Sequence, residues 1–131
     1  MSIKLHILNY PLIIETHSNN LFDICAIVGQ YENIADSHEE FENINWNSET
    51  HPIKLLLFAI HKYDTMTPTK AKLILPSINR SLKHWNNALF KDENQLNIGP
   101  NSSFLCNLLT DIKILLKECV NKKTKLIIDM I

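Results

Sequence analysis

The most apolar run in the chain is the segment 50–64, with the sequence THPIKLLLFAIHKYD. Pro52 suits the first turn of a helix, because the N–H group that proline lacks has no partner at that position. Apolar residues then occupy most of the helix circumference, namely Ile53, Leu55, Leu56, Leu57, Phe58, Ala59 and Ile60. A helix of this kind is buried on most of its sides. The segment therefore predicts a central helix that other elements must cover.

Two histidines bracket this run and raise the question of a functional site. His51 and His61 lie ten residues apart, whereas two zinc ligands on one helix need a spacing of about three or four residues. His61 and Asp64 have the i, i+3 spacing at which a carboxylate orients an imidazole in a catalytic dyad. The alternative, which we prefer, is a plain helix C-terminus, where the helix dipole favours His61 and Lys62.

Apolar residues at helical spacing also occur on both sides of this segment. A helix is predicted over about residues 20–33, and a short acidic helix over about 36–43. A further helix begins at Pro68, and Pro76 is expected to kink or divide it. The clearest helical pattern follows the loop 91–102. Its apolar stripe consists of Leu105, Leu108, Leu109, Ile112, Leu115, Leu116 and Cys119.

Apolar and polar residues alternate at the two ends of the chain. Residues 3–8 have the period of two that is typical of a strand, and residues 12–16 and 124–131 are interpreted as further strands. The last strand is expected to pair with the first. Gly29 and Gly99 are the only glycines, which weighs against an all-β fold. The sequence thus predicts a mainly helical α+β domain of four or five helices, with a small sheet or hairpin formed by the N- and C-terminal strands.

Length and cysteine usage limit the class of protein. A chain of 131 residues suits a single domain, 1–131, with one hydrophobic core. Cys25, Cys106 and Cys119 are odd in number and far apart, so we expect buried thiols rather than a disulfide framework or zinc knuckle. No signal peptide is apparent, and no run reaches the ~18 apolar residues that cross a bilayer. These features predict a cytoplasmic protein without membrane contact.

Sequence motifs for enzyme chemistry are absent. The segment 38–42, HEEFE, resembles the start of a zinc-protease helix, but Glu42 stands where that motif needs a second histidine. A surface acidic helix explains the segment better, with Asp36 and Glu39 spaced like a capping box. Two glycines supply neither a GxGxxG motif nor a P-loop, and no nucleophile elbow marks a serine. We therefore predict no catalytic residue, no metal and no cofactor.

Charge is divided unevenly along the chain. Residues 5–53 contain eight acids and no lysine or arginine, a formal charge of −8. Residues 54–131 contain twelve bases and six acids, a formal charge of +6. An acidic surface with aromatic side chains suits a basic protein partner, because the field steers encounter and the aromatics supply contact energy. The predicted partner-binding residues are Tyr31, Glu32, Asp36, Glu39, Glu40, Phe41, Glu42, Trp46 and Glu49.

In size, charge distribution and lack of catalytic motifs, the chain resembles the small immunity proteins of bacterial toxin–immunity pairs, including those of contact-dependent growth inhibition. The resemblance concerns general character over the whole chain and no single motif, so it assigns no site residues. It implies a cytosolic domain that binds a cognate protein toxin as a heterodimer and occludes its active or substrate-binding surface. Many such toxins are basic nucleases, so an acidic inhibitor surface is expected.

Three alternatives stay open. In the first, the acidic part of the chain packs against the basic part of the same molecule, and the electrostatic field of the acidic surface is cancelled. In the second, the protein is a nucleic-acid-associated or regulatory module that uses the basic C-terminal half, with a helix-turn-helix over 50–72. Its basic patch consists of Lys113, Lys117, Lys122, Lys123 and Lys125. Against this module, Arg80 is the single arginine and the pI is near 6.6, so nucleic acid is not the expected partner. The third alternative is a small enzyme that uses His61 with Asp64.

Overall fold

The computed structural model of the chain describes residues 1–62, 65–91 and 102–131. These ranges contain five helices and three strands. In chain order the elements are β1 (Ser2–His6), β2 (Ile14–His17), α1 (Ser18–Tyr31), α2 (His38–Glu42), α3 (Ile53–Lys62), α4 (Pro68–Lys91), α5 (Ser102–Lys122) and β3 (Ile127–Met130). The predicted α+β class, with helix in excess and a small sheet, is confirmed.

The sheet joins the N- and C-terminal parts of the chain. β1 lies between β2 and β3 and pairs antiparallel with both. Leu5 of β1 lies opposite Ile14 on one side and Ile128 on the other, and all three side chains are buried. The predicted pairing of the first and last strands is therefore confirmed. β2 begins at Ile14, two residues later than predicted, and the residues before it form the connection from β1.

The core lies between the inner face of the sheet and the helices. α4 and α5 form the most extensive contact between two helices. Every residue of the predicted apolar stripe on α5 is buried. Trp85 of α4 is also fully buried. The long apolar face of α5 thus organises the core, as its 3.6-residue period indicates.

The central apolar segment forms α3 and is most deeply buried on one face. Its fully or nearly buried residues are Ile53, Leu56, Ala59 and Ile60. Leu55 and Phe58 are half-buried, because they line a surface depression of about 130 Å³ beside the start of α4. α3 is thus covered on most sides, as expected, and covered least where Leu55 and Phe58 meet this depression.

α4 continues through Pro76 without a break, so Pro76 does not divide it. Proline removes one helical hydrogen bond, but Pro76 is exposed and water reaches that side of the helix. The uninterrupted helix carries Arg80 and Trp85, which both contact the C-terminal end of α1. α4 thereby fixes the end of α1 that leads into α2.

α1 and α2 approach each other closely at Gly29. A Cβ atom on residue 29 would lie 2.7 Å from Cδ2 of Phe41, which is too close for an ordinary contact. Phe41 also packs edge-on against Phe22 and Trp46, with ring centroids 5.5 Å and 4.7 Å away. The short helix α2 is held on the surface of α1 by this buried aromatic contact.

Candidate protein-binding surface

The carboxylates of α2, its N-terminal turn and the adjacent part of α1 form an acidic face. Ser37 caps α2, because its Oγ accepts the backbone N–H of Glu40 at 3.0 Å. Oε2 of Glu40 in turn accepts the backbone N–H of Asp36 at 3.1 Å. The cap therefore pairs Ser37 with Glu40, and the predicted pairing of Asp36 with Glu39 is wrong. The acidic face consists of the partly exposed Asp23 and the exposed Asp36, Glu39, Glu40 and Glu42.

His38 lies within the acidic face and connects its two helices. Its Nε2 is 2.9 Å from Oδ1 of Asp23, and its Nδ1 is 3.4 Å from Oε1 of Glu42. The ring also contacts Phe22 edge-on, with centroids 5.3 Å apart. Through Asp23 and Phe22, the His38 ring therefore joins α2 to α1.

A cavity of about 370 Å³ opens on the acidic face, between α1, α2 and the N-terminal part of α5. Ile27 and Leu105 are buried at its floor. Its described lining consists of Asp23, Ile27, Gln30, Ser37, His38, Glu39 and Leu105. An apolar floor and a rim with two carboxylates form a site that suits an amphipathic cation.

Sequence reasoning missed most of this cavity. Asp23, Ile27 and Gln30 are spaced by four and three residues, which places them on one side of α1. That spacing is a signal that the sequence does contain. Leu105 comes from α5, more than seventy residues further along the chain, and no local pattern connects it with α1.

Glu32 is used inside the molecule and not on the acidic face. Arg80 donates two hydrogen bonds to it, from Nη2 to Oε1 at 2.5 Å and from Nε to Oε2 at 3.0 Å. His51 Nε2 lies 3.3 Å from Oε1, and only 11% of the Glu32 side chain is exposed. The hydrogen bonds from Arg80, opposed by burial and helped by Ser77 and His51, lower the pKa of Glu32 to about 2. Glu32, which the sequence predicts as a partner contact, is thus engaged in an internal ion pair.

Glu49 also has a local structural role. Its Oε1 accepts the backbone N–H groups of Thr50 and His51, at 2.9 Å and 3.0 Å. These bonds fix the turn that precedes α3. Glu49 is half-buried, so it contributes less to the acidic surface than its position in the sequence predicts.

The three predicted aromatic anchors lie beneath or beside the acidic face. Phe41 is fully buried in the free chain. Trp46 is half-buried against it. Tyr31 is half-buried and stacks on His84 with centroids 6.1 Å apart. Burial, with a smaller contribution from the neighbouring Cys106, raises the pKa of Tyr31 to about 12. These rings support the surface more than they extend from it.

His51 completes the N-terminus of α3. Its Nδ1 accepts the backbone N–H of Ile53 at 3.1 Å, so the neutral ring carries its proton on Nε2, which faces Glu32. His61 is exposed at the C-terminal end of α3. Asp64, its predicted dyad partner, lies outside the described residues. Over the ranges that are described, no three His, Cys, Asp or Glu side chains are grouped so that they could hold a metal ion.

The three cysteines are buried thiols, as predicted. Burial raises the pKa of Cys25 to about 12 and that of Cys119 to about 11. A thiol with so high a pKa is protonated near neutral pH and is a poor nucleophile. The described cysteines therefore have the character of small apolar core residues.

An ion pair connects the acidic half of the chain with the basic half. Among the described residues, Glu32 with Arg80 is the one ion pair between an acid of 5–53 and a lysine or arginine of 54–131. Lys122 instead pairs with Glu118 at 3.1 Å and lies 5.2 Å from the ring centroid of Tyr10. Lys117, Lys122, Lys123 and Lys125 of the predicted basic patch are exposed, and Lys113 is half-buried. In the described part of the chain, pairing with a lysine or arginine thus engages Glu32 and none of the carboxylates of the acidic face.

Comparison of the chain with protein-family models, with curated proteins and with solved structures returns no match. Among the helices that the structure describes, none is both long and apolar enough to cross a membrane. A proposal on function therefore rests on the chemistry of the chain's own residues.

Proposed function

We propose that this protein is an immunity protein that binds a cognate basic toxin, such as a nuclease, in the cytoplasm and neutralises it. The observation that supports this proposal is the acidic face. Asp36, Glu39, Glu40 and Glu42 are exposed within seven residues, and in the described part of the chain none of them pairs with a lysine or arginine. Unpaired surface charge of one sign projects a field that attracts a partner of opposite charge.

The acidic face suits inhibition by occlusion. A nuclease binds its substrate mainly through basic side chains that contact phosphate groups. Carboxylates spaced along one turn of α2 occupy the positions of such phosphates and cover the substrate-binding surface. The inhibitor performs no chemistry in this mechanism. It needs only to present its carboxylates and to remain bound.

The packing and capping of α2 lower the conformational entropy that these carboxylates lose on binding. Phe41 is buried against Gly29, and Ser37 caps the helix. A surface that is ordered before binding loses less conformational entropy in the complex. Surface charge pairs mainly increase the rate of association. The contact energy of the complex comes from apolar parts of the interface, for which half-buried Trp46 and the cavity floor are the nearest candidates.

Co-purification tests the proposal. The tagged chain is recovered from its native cell, and the bound protein is identified by mass spectrometry. We expect one stoichiometric basic protein that is toxic or nucleolytic alone and inactive in the complex. Recovery of nucleic acid, or of no protein, contradicts the proposal and favours the basic C-terminal half as the functional region.

A charge-matched pair of variants locates the contact. Glu39→Lys alters the acidic face, whereas Glu15→Lys makes the same change at an exposed position on β2. We expect Glu39→Lys to weaken binding of the co-purified partner about tenfold, because an attractive contact becomes repulsive. Glu15→Lys is expected to change the affinity for the partner less than twofold. Equal effects of the two variants would show that net charge, and not this face, governs binding.

A further inference from the structure

We infer that the cavity on the acidic face receives an arginine side chain of the protein partner. This inference rests on the proposed function and names the side chain that the surface recognises. The cavity lies between α1 and α2, within the acidic face, and about 370 Å³ of space is accessible from solvent. A protruding side chain of the partner therefore reaches it without any movement of the helices.

The floor of the cavity suits the aliphatic part of a long side chain. Ile27 and Leu105 are each 4% exposed, and both line the cavity. Lysine and arginine bury their methylene groups along apolar surface while the charged end meets polar groups. A short or purely polar side chain leaves this floor hydrated, so the floor favours a long one.

The rim of the cavity suits a cation. Asp23 and Glu39 contribute carboxylates, Gln30 contributes an amide, and Ser37 contributes a hydroxyl. The charged or titratable groups that line the described part of the cavity are these two acids and His38, whose Nε2 faces Oδ1 of Asp23. An anionic ligand is repelled by both carboxylates. A cation is attracted by both carboxylates.

Several acceptors around one space favour arginine over lysine. The guanidinium has five N–H donors in a planar fork and bonds to more than one acceptor at once. The ammonium of lysine is a compact, strongly hydrated charge. Carboxylates on α1 and α2 on two sides of the cavity therefore match a guanidinium better than an ammonium.

The two walls of the cavity that α1 and α2 form are held together before a ligand arrives. The contact of Gly29 with Phe41 sets the distance between α1 and α2, and the contact of Asp23 with His38 spans the same two helices. Ser37 both caps α2 and lines the cavity. A preformed pocket of this kind binds a side chain with little reorganisation.

The test is an NMR titration of the ¹⁵N-labelled full chain with a blocked pentapeptide that carries one central arginine between alanines. A matched peptide carries citrulline, which has nearly the same shape and no charge. We expect saturable shifts of the amides of residues 23, 27, 30 and 39 with the arginine peptide. The citrulline peptide is expected to bind at least fivefold more weakly, and the corresponding lysine peptide to lie between the two. Equal shifts with the arginine and citrulline peptides would overturn the inference.

Two isosteric variants make the test specific for the cavity. Glu39 lines the cavity, whereas Glu40 is exposed on the same helix and absent from its described lining. Glu39→Gln is expected to weaken binding of the arginine peptide about threefold to fivefold, and Glu40→Gln to weaken it less than 1.5-fold. The reason is that a carboxylate in direct contact with the guanidinium attracts it more strongly than a nearby carboxylate whose field is screened by solvent and salt. Equal losses in the two variants would mean that the peptide responds to the acidic face as a whole, and the inference would be wrong.

Different experimental outcomes would contradict the cavity inference and the proposed function. If co-purification yields a basic partner that is sensitive to Glu39→Lys but the arginine peptide shows no preference over citrulline, the cavity inference alone is wrong. If the arginine peptide binds as expected but the tagged chain recovers no basic protein, the proposed function alone is wrong.

Discussion

At the scale of single residues, Glu32 and Glu39 show how two acids from one segment acquire different roles. Both belong to the acidic stretch of the sequence and have the same chemistry. Arg80 lies forty-eight residues beyond Glu32 and binds it with two hydrogen bonds, whereas Glu39 is exposed. No local pattern predicts that Arg80 meets Glu32. The sequence therefore indicates the acidic region but not which of its acids is available to a partner.

Glu32 is expected to make stability depend on pH. Its pKa falls from 4.5 to about 2 on folding, so the native state favours the carboxylate. The stabilisation is complete above the unfolded pKa and is lost as pH falls from about 4.5 toward about 2. Glu32→Gln is expected to reduce the free energy of unfolding at pH 7 by on the order of 2 kcal/mol, because solvent around half-exposed Arg80 screens part of the pairing. Urea denaturation over this pH range measures the difference between variant and wild type.

Glu118→Gln is the control for this prediction. Glu118 pairs with Lys122 on the surface of one helix, and pairs of this kind contribute about 0.5 kcal/mol or less. A Glu32→Gln variant that resembles Glu118→Gln at pH 7, or whose deficit persists unchanged at pH 2, would contradict the role of Glu32.

Gly29 is expected to tolerate no larger residue while Phe41 is present. Gly29→Ala gains about 1 kcal/mol of helix propensity, but its Cβ lies 2.7 Å from Cδ2 of Phe41 and the contact must shift. Overpacking of this kind costs about 1–3 kcal/mol, so we expect net destabilisation. The double variant Gly29→Ala with Phe41→Leu is expected to show less than additive loss in a urea double-mutant cycle. A Gly29→Ala variant more stable than wild type would contradict the close packing of α1 and α2.

At the scale of secondary-structure elements, periodicity predicts most of the architecture. The stripe on α5 and the alternation in β1 report burial directly, because core residues recur with the period of the element. Pro76 is a local exception, since an exposed proline leaves α4 undivided. The partial exposure of α3 could not be predicted, because it depends on where α4 begins in space. The cavity is likewise a product of three helices that are distant in sequence.

The cap of α2 is expected to control the order of the acidic face. Ser37→Ala removes the acceptor of the Glu40 N–H, and loss of such a cap costs about 1 kcal/mol. Because α2 has five residues, we expect faster hydrogen exchange at the amides of α2, by about fivefold. Ser48→Ala is the control, since Ser48 Oγ donates to the carbonyl of Asn45 in the following turn. Equal exchange in α2 for wild type and Ser37→Ala would contradict the capping role.

At the scale of the whole molecule, the uneven distribution of charge along the sequence produces a surface on which charge is also unevenly distributed. Glu32 of the acidic part pairs with Arg80 of the basic part, whereas Asp36, Glu39, Glu40 and Glu42 of the acidic face are exposed. The sequence predicts the sign and the approximate place of this surface. It does not predict the burial of Phe41, because an aromatic within an acidic run has the same local pattern whether it faces the core or the solvent.

The proposed function requires a basic protein to associate through the acidic face. The most direct test measures the association rate of the chain with its co-purified partner from 0.05 to 0.5 M salt. We predict that the association rate of the wild-type chain falls steeply over this range, because salt shortens the Debye length to less than about 10 Å above 0.1 M and screens the attraction. The triple variant Glu39→Lys, Glu40→Lys and Glu42→Lys is predicted to associate at least tenfold more slowly at low salt and to lose this dependence. An unchanged rate with an unchanged dependence on salt in the triple variant would contradict the account.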